Sequence, residues 1–103
     1  MAFSDARAGL AAAIGSDACG HWPRKDAYTK NWLQHGKVSP VDVQAMLLRC
    51  NGTQHRESGL VTEPGVRVHE FFPEWRGVRW YVKAYYHADQ GRWILMSAHP
   101  AEA

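Results

Sequence analysis

His21, His69 and His99 can each take up or release a proton near neutral pH, where imidazole titrates. Lys83 and Arg79 can clamp a phosphate, and a guanidinium offers it a two-pronged fork. Arg67 and Lys25 add positive charge for the same purpose. Ser97 can hydrogen-bond a phosphate oxygen, and Tyr81 and Tyr85 carry rings on which a base can stack. Metal-independent RNA cleavage draws on these types. It needs a base for the 2′-hydroxyl, a cation for the charged phosphorane and an acid for the 5′-oxygen. These residues can act jointly only if the elements that carry them bring them together.

Those elements are strands. Val78, Trp80, Val82, Ala84 and Tyr86 alternate with Arg79, Tyr81, Lys83, Tyr85 and His87. Ile94, Met96 and Ala98 alternate with Trp93, Leu95, Ser97 and His99, and Val66 and Val68 alternate with Arg67 and His69. A period of two marks a sheet with one face on a core. The turn Asp89-Gln90-Gly91, with Gly91 in the left-handed conformation, predicts a hairpin. Its register sets Tyr86 against Ile94, Ala84 against Met96 and Val82 against Ala98, with Lys83 against Ser97 and Tyr81 against His99 on the other face. A slip of one residue would set core residues against polar ones. The open face is then expected to carry Arg67, His69, Arg79, Tyr81, Lys83, Tyr85, His87, Ser97 and His99, with no acid among them. Single-stranded RNA, whose bases are free to splay out, suits such a surface. A solvent-facing sheet also carries polar and amphipathic residues for stability alone. A further short strand near 53–57 is expected at an edge.

The first half of the chain must supply the cover for the apolar face. A helix is predicted from Ser4 or Asp5 as cap to a stop at Gly15, with Leu10 and Ile14 on one face. A second is expected over 24–34, with Tyr28 and Trp32 one turn apart. Ser39-Pro40 opens a third with a cap and a proline at the first helical position. Val41, Ala45 and Leu48 form its expected stripe, with Leu47 beside it, and Asn51-Gly52 ends it. Trp80 falls on the core parity, and Trp93 on the open face. Trp75 sits in a loop, where solvent exposure would suggest a protein interface.

Composition narrows the classes. The chain has 103 residues, 46% hydrophobic and 21% charged, with 12 Lys plus Arg against 10 Asp plus Glu. These values fit one globular domain and exclude a polybasic coat for nucleic acid. The longest apolar run, Leu10 to Ile14, is far short of the roughly 18 residues a membrane span needs, so no membrane association is expected. No signal peptide is recognisable, and two cysteines make no disulfide framework, which gives a cytoplasmic expectation. Cys19-Gly20-His21 lacks the spacing of a zinc site, and neither a metal nor a cofactor is expected. Cys50 falls at a helix C-terminus, which does not lower a thiol pKa. A helix-turn-helix reader is disfavoured, because the third helix has too few base-reading side chains.

Helices followed by a twisted antiparallel sheet, closed by Trp80-Tyr81-Val82-Lys83-Ala84-Tyr85-Tyr86 and Trp93-Ile94-Leu95-Met96-Ser97-Ala98-His99-Pro100, resemble small ribonuclease toxins. The group is the one that joins barnase, EndoU, colicin E5/D and RelE, and includes RelE-type and motility-quorum-sensing-regulator-type toxins. The ending Ser97-Ala98-His99-Pro100 carries the resemblance, with Ser97 and His99 where Thr or Tyr is usual. The resemblance implies RNA as substrate and a cognate antitoxin or immunity protein as partner. It also implies that His21, which precedes a helix, reaches the cleft.

The sequence thus predicts an α+β domain over 1–103, helical over 1–52 and sheet over 53–100. About three N-terminal helices pack on one face of a three- or four-stranded antiparallel sheet. The expected function is a toxin-like endoribonuclease, with His69, Lys83, Ser97, His99 and His21 catalytic. Arg67, Arg79, Tyr81, Tyr85 and Lys25 are expected to bind substrate. The alternative is a non-catalytic binding module, immunity- or antitoxin-like, that holds a partner on the same aromatic face.

Overall fold

A computed structural model describes residues 2–101 of the chain. Helix α1 covers Phe3–Gly15, and its buried side is Ala6, Leu10, Ala11 and Ile14. Its cap is the backbone of Ala2, so Ser4 lies inside the first turn and Asp5 sets its charge against the helix dipole there. Helix α3 covers Pro40–Arg49, and the Ser39 hydroxyl accepts from the Asp42 N–H at 3.1 Å. Loss of this cap in Ser39→Ala is expected to lower the unfolding free energy by about 1 kcal/mol, read as a lower urea midpoint. The buried stripe of α3 is Val43, Met46 and Leu47, continued by Cys50. It is rotated from the expected one, and Val41 and Leu48 face solvent. The observed set has the i, i+3, i+4, i+7 spacing of one helix face.

Only one turn of the second predicted helix forms, α2 over Ala27–Lys30. Beyond it the chain turns extended at Asn31, which is fully buried and bridges in parallel to Ala98. The Trp32 N–H donates to the Ala98 carbonyl at 2.8 Å, and the Trp32 indole stands edge-on against Trp80 at 5.6 Å. These tertiary contacts outweigh helix continuation. Tyr28 is consequently left 64% exposed, with the Lys37 ammonium 3.5 Å from its ring centroid.

Among the described residues the sheet has six strands rather than the expected three or four. It is mixed rather than wholly antiparallel, because Gly20–His21 adds in parallel along one edge and short pairings add at the others. Its members are β1 (Gly20–His21), β2 (His55–Gly59), β3 (Arg67–Phe71), β4 (Glu74–Trp75), β5 (Val78–His87) and β6 (Arg92–Pro100). The order is β1-β6-β5-β3-β2, with β4 pairing the start of β5. All pairs are antiparallel except β1 with β6. Arg76 and Gly77, both with positive φ, make the two-residue turn between β4 and β5. Helices α1 and α3 cover one face, where their buried sides meet Phe71, Trp80, Val82, Ala84, Trp93, Leu95 and Ala98.

The predicted register holds for half of the closing hairpin. Val82 faces Ala98, Lys83 faces Ser97 and Tyr81 faces His99. A bulge then intervenes, and Ala84 faces Leu95 while Tyr86 faces Trp93. Met96 is the residue without an opposite number. The bulge reverses parity along β6. Ser97 and His99 look away from the helices, but Leu95 and Trp93 look toward them, and Trp93 is buried in the main core rather than displayed. Ile94 and Met96 join Leu60, Val68 and Tyr85 in a smaller apolar cluster on the second face, flanked by Trp22 and Val66. Gly91 has φ +63°, as the predicted turn requires.

Candidate functional site

Beside that apolar cluster, the second sheet face is polar. Strand pairing lays its side chains out in a grid. One row crosses the sheet as Arg56, Glu70, Lys83 and Ser97, each opposite the next in register. The next row holds Tyr81 opposite His99, whose rings are 5.6 Å apart. Opposed residues on one face lie within reach of each other, so the ladder itself brings these groups together. Lys83, Ser97, His99 and Tyr81 line one open recess of about 400 Å³, with Arg24 and Lys30 along its side.

Each group has a defined state. The Arg24 guanidinium grips Asp26 with two prongs (Nε–Oδ1 2.5 Å, Nη2–Oδ2 3.0 Å). Its Nη1 donates to the Ser97 hydroxyl at 2.8 Å and to the Met96 carbonyl at 3.0 Å. Four of its five N–H groups are thereby used, and the Ser97 hydroxyl hydrogen is left to donate. His99 Nδ1 lies 2.8 Å from the Pro100 carbonyl. A carbonyl only accepts, so Nδ1 carries the hydrogen and Nε2 of the neutral ring carries the lone pair. Among the described residues Nε2 has no hydrogen-bond partner, and Lys83 has no ion-pair partner.

Glu70 is the acid that the sequence reading omitted from this face. It is buried, and Arg56 donates to it at 2.6 Å, Tyr81 at 2.9 Å and Ser58 at 3.4 Å. Burial pushes the Glu70 carboxyl up, but the bonds from Arg56 and Tyr81 and the charges of Arg56 and Lys83 outweigh it and hold the pKa low. Burial and then the Glu70 hydrogen bond push the Tyr81 phenol far up. Its proton is committed to Glu70, so Tyr81 is a positioning group rather than an acid.

The other expected site residues lie elsewhere. His69 is 2% exposed and points to the helix side, between Phe71 and Trp93. Phe71, the bulkier apolar residue, takes the main core, and this fixes the parity of β3 with His69 inward and Glu70 outward. His21 sits on edge strand β1, its Nδ1 3.0 Å from the Asn31 amide, beside Ile14 and Cys19. Tyr85 is buried under Trp22, edge-on at 5.9 Å, and is not free to stack a base. Arg79 is exposed on the second face beside the Phe72 ring, 5.0 Å from its centroid. Lys25 is exposed in the turn before α2. Arg67 lines a separate recess of about 410 Å³, to which His69 and Tyr85 also contribute beside Tyr86 and His87, and where Glu63 and Asp89 would repel a polyanion. Trp75 is half-buried, flanked by Arg49 and Arg76 rather than bare.

His69 has another partner set. Its Nδ1 is 3.0 Å from His55 Nε2 and 3.6 Å from a Glu57 oxygen. Burial lowers both imidazoles, partly offset by Glu57, and for His69 the neighbouring His55 and Arg67 lower it further. His21 is lowered as well, chiefly by burial. A depressed folded pKa means that the unfolded chain binds more protons. Stability is therefore full above about pH 6.5 and is lost as pH falls below it toward the folded values. Urea unfolding at pH 7.5, 6.0 and 5.0 checks this, and His55→Phe, which keeps a ring against Phe3 and Phe71, is expected to flatten the slope.

Among the described residues no three His, Cys, Asp or Glu side chains converge to hold a metal ion. Both cysteines are free thiols, and burial pushes the Cys19 thiol up to about 11. No helix among them is long and apolar enough to cross a membrane. Comparison with protein-family models, curated protein sequences and solved structures finds no match to the chain.

Proposed function

We propose that the chain is a metal-independent endoribonuclease, of the toxin-like kind its ending resembles, acting at the recess between β5 and β6. The observation that carries the reading is that Lys83, Ser97 and His99, whose Nδ1 is taken up by the Pro100 carbonyl, line one open recess. Of the catalytic set inferred from sequence, Lys83, Ser97 and His99 line this recess, whereas His69 and His21 lie away from it and take no part.

The residues fit the steps of 2′-hydroxyl attack. His99 Nε2 accepts the proton of the 2′-hydroxyl as that oxygen bonds to phosphorus. The Lys83 ammonium and the Ser97 hydroxyl stabilise the non-bridging oxygens of the phosphorane, and Arg24 holds Ser97 in place. As the bond to the 5′-oxygen breaks, the Lys83 ammonium supplies the proton. The products are a 2′,3′-cyclic phosphate and a 5′-hydroxyl. Glu70 and Tyr81 brace the row behind Lys83. A cognate antitoxin or immunity protein would silence such an enzyme by covering the same face.

The test is incubation of purified protein with end-labelled single-stranded RNA in excess EDTA. Cyclic-phosphate ends are expected, and an all-2′-deoxy strand of the same sequence is expected to stay intact. Intact RNA under these conditions, and no growth arrest in cells expressing the chain, would overturn the reading. Binding of the strand without cleavage would leave the face as a binding module.

A further inference from the structure

The ribonuclease reading leaves the apolar half of the second sheet face without a role. A recess of about 240 Å³ opens there, lined by Trp22, Leu60, Val68, Met96 and Lys83, with Val61 and Thr62 beside them. Lys83 also lines the polar recess, so one side chain forms the wall between an apolar hollow and a polar one. We propose that the apolar recess is a nucleobase subsite, which takes the base of the nucleotide whose phosphate rests on Lys83 and Ser97. This rests on the ribonuclease reading and extends it to substrate recognition.

Three observations support the assignment. The first is size. The recess is smaller than the roughly 300–1,000 Å³ that drug-sized ligands need, and one flat ring system suits it. The second is wall chemistry. Trp22 stands edge-on to Tyr85, which fixes its ring, and Met96 brings a polarisable thioether of the kind that packs against aromatic faces. Val61, 94% exposed, leaves apolar surface bare at this recess, beside a cation. A nucleotide matches both halves at once, because its base is flat and apolar-faced and its phosphate is anionic. The third is the backbone device. The bulge places Met96 and Ser97, adjacent in sequence, on the two sides of the Lys83 wall. Walls with so few donors and acceptors favour stacking over edge reading. The subsite should therefore tolerate any base and prefer the larger purines.

The experiment is an NMR titration of the full chain with adenosine 3′-monophosphate, cytidine 3′-monophosphate and inorganic phosphate. The Met96 methyl and Trp22 indole signals report the apolar recess, and the Ser97 and His99 signals report the polar one. Adenosine 3′-monophosphate is expected to move both sets, phosphate only the polar set. The purine nucleotide should bind about 5- to 150-fold more tightly than phosphate, with the pyrimidine between them. In Trp22→Ala the nucleotide affinity should fall toward that of phosphate, while phosphate affinity stays unchanged. If this variant does not fold, Trp22→Phe, expected to retain most of the nucleotide affinity, takes its place. The wild-type comparison needs no variant. Unmoved Met96 and Trp22 signals with adenosine 3′-monophosphate overturn the subsite whatever the polar set does. The ribonuclease reading falls separately, on the absence of RNA cleavage.

Discussion

RNA cleavage by His99→Ala is expected to be about 100- to 10,000-fold slower than by the parent chain, the range over which a positioned acid or base accelerates proton transfer. His99 is held by its own strand's carbonyl at 2.8 Å and by its place opposite Tyr81, so its ring is oriented before substrate arrives. Lys83→Met keeps most of the length of the side chain and removes the charge. A loss of similar size is expected there, because among the described residues no other ammonium or guanidinium in the recess is both uncommitted and opposite Ser97. Arg24 spends most of its donors on Asp26, Ser97 and Met96. Single-turnover rates at saturating RNA separate lost chemistry from lost binding. Full rates in both variants would place the reaction elsewhere on the molecule.

Phe71→Ala is expected to remove about 3–5 kcal/mol of stability. Phe71 is fully buried at the meeting point of the sheet and α1, opposite Val82 and His55 in register. Its ring lies 5.0 Å from His55 and 6.2 Å from Phe3, so truncation leaves a void between a strand and a helix that cannot simply close. Domains of this size are stable by only about 5–15 kcal/mol, so the variant should sit near the edge of unfolding at room temperature. Thermal and urea melts check this. Val78→Ala, at a partly exposed position on β5, should shift stability by no more than about 0.5 kcal/mol. The same side chain bears on the site, because it is Phe71 that turns Glu70 outward to brace Tyr81.

The periodicity of β5 was legible from sequence, and with it the pairs Lys83–Ser97 and Tyr81–His99 at the heart of the site. The third helix was legible at its start, where Ser39 and Pro40 leave little choice. What could not be read was where alternation breaks. A bulge at Met96 has no signature in a run of apolar residues, yet it decides which side Trp93 and Leu95 take. In β3 both parities offered an apolar set. Comparing the bulk of Phe71 with that of Val68 would have favoured the observed one, and would have found Glu70 and excluded His69. Arg24 was out of reach for a different reason: its partners Met96 and Ser97 lie more than 70 residues away, and only the fold joins them.

The outer side of β6 bears on how another macromolecule can approach. Gly20–His21 runs along it in parallel, the Trp22 N–H donates to the Leu95 carbonyl at 2.8 Å, and Asn31 and Trp32 close it at Ala98. The chain itself therefore fills the place an added strand would take. The opposite border is β2, five residues long, with Arg56 and Glu57 exposed on it, a charged edge of the kind that discourages strand addition. An inhibitor that reaches this site must therefore come down onto the sheet from above and read it through side chains.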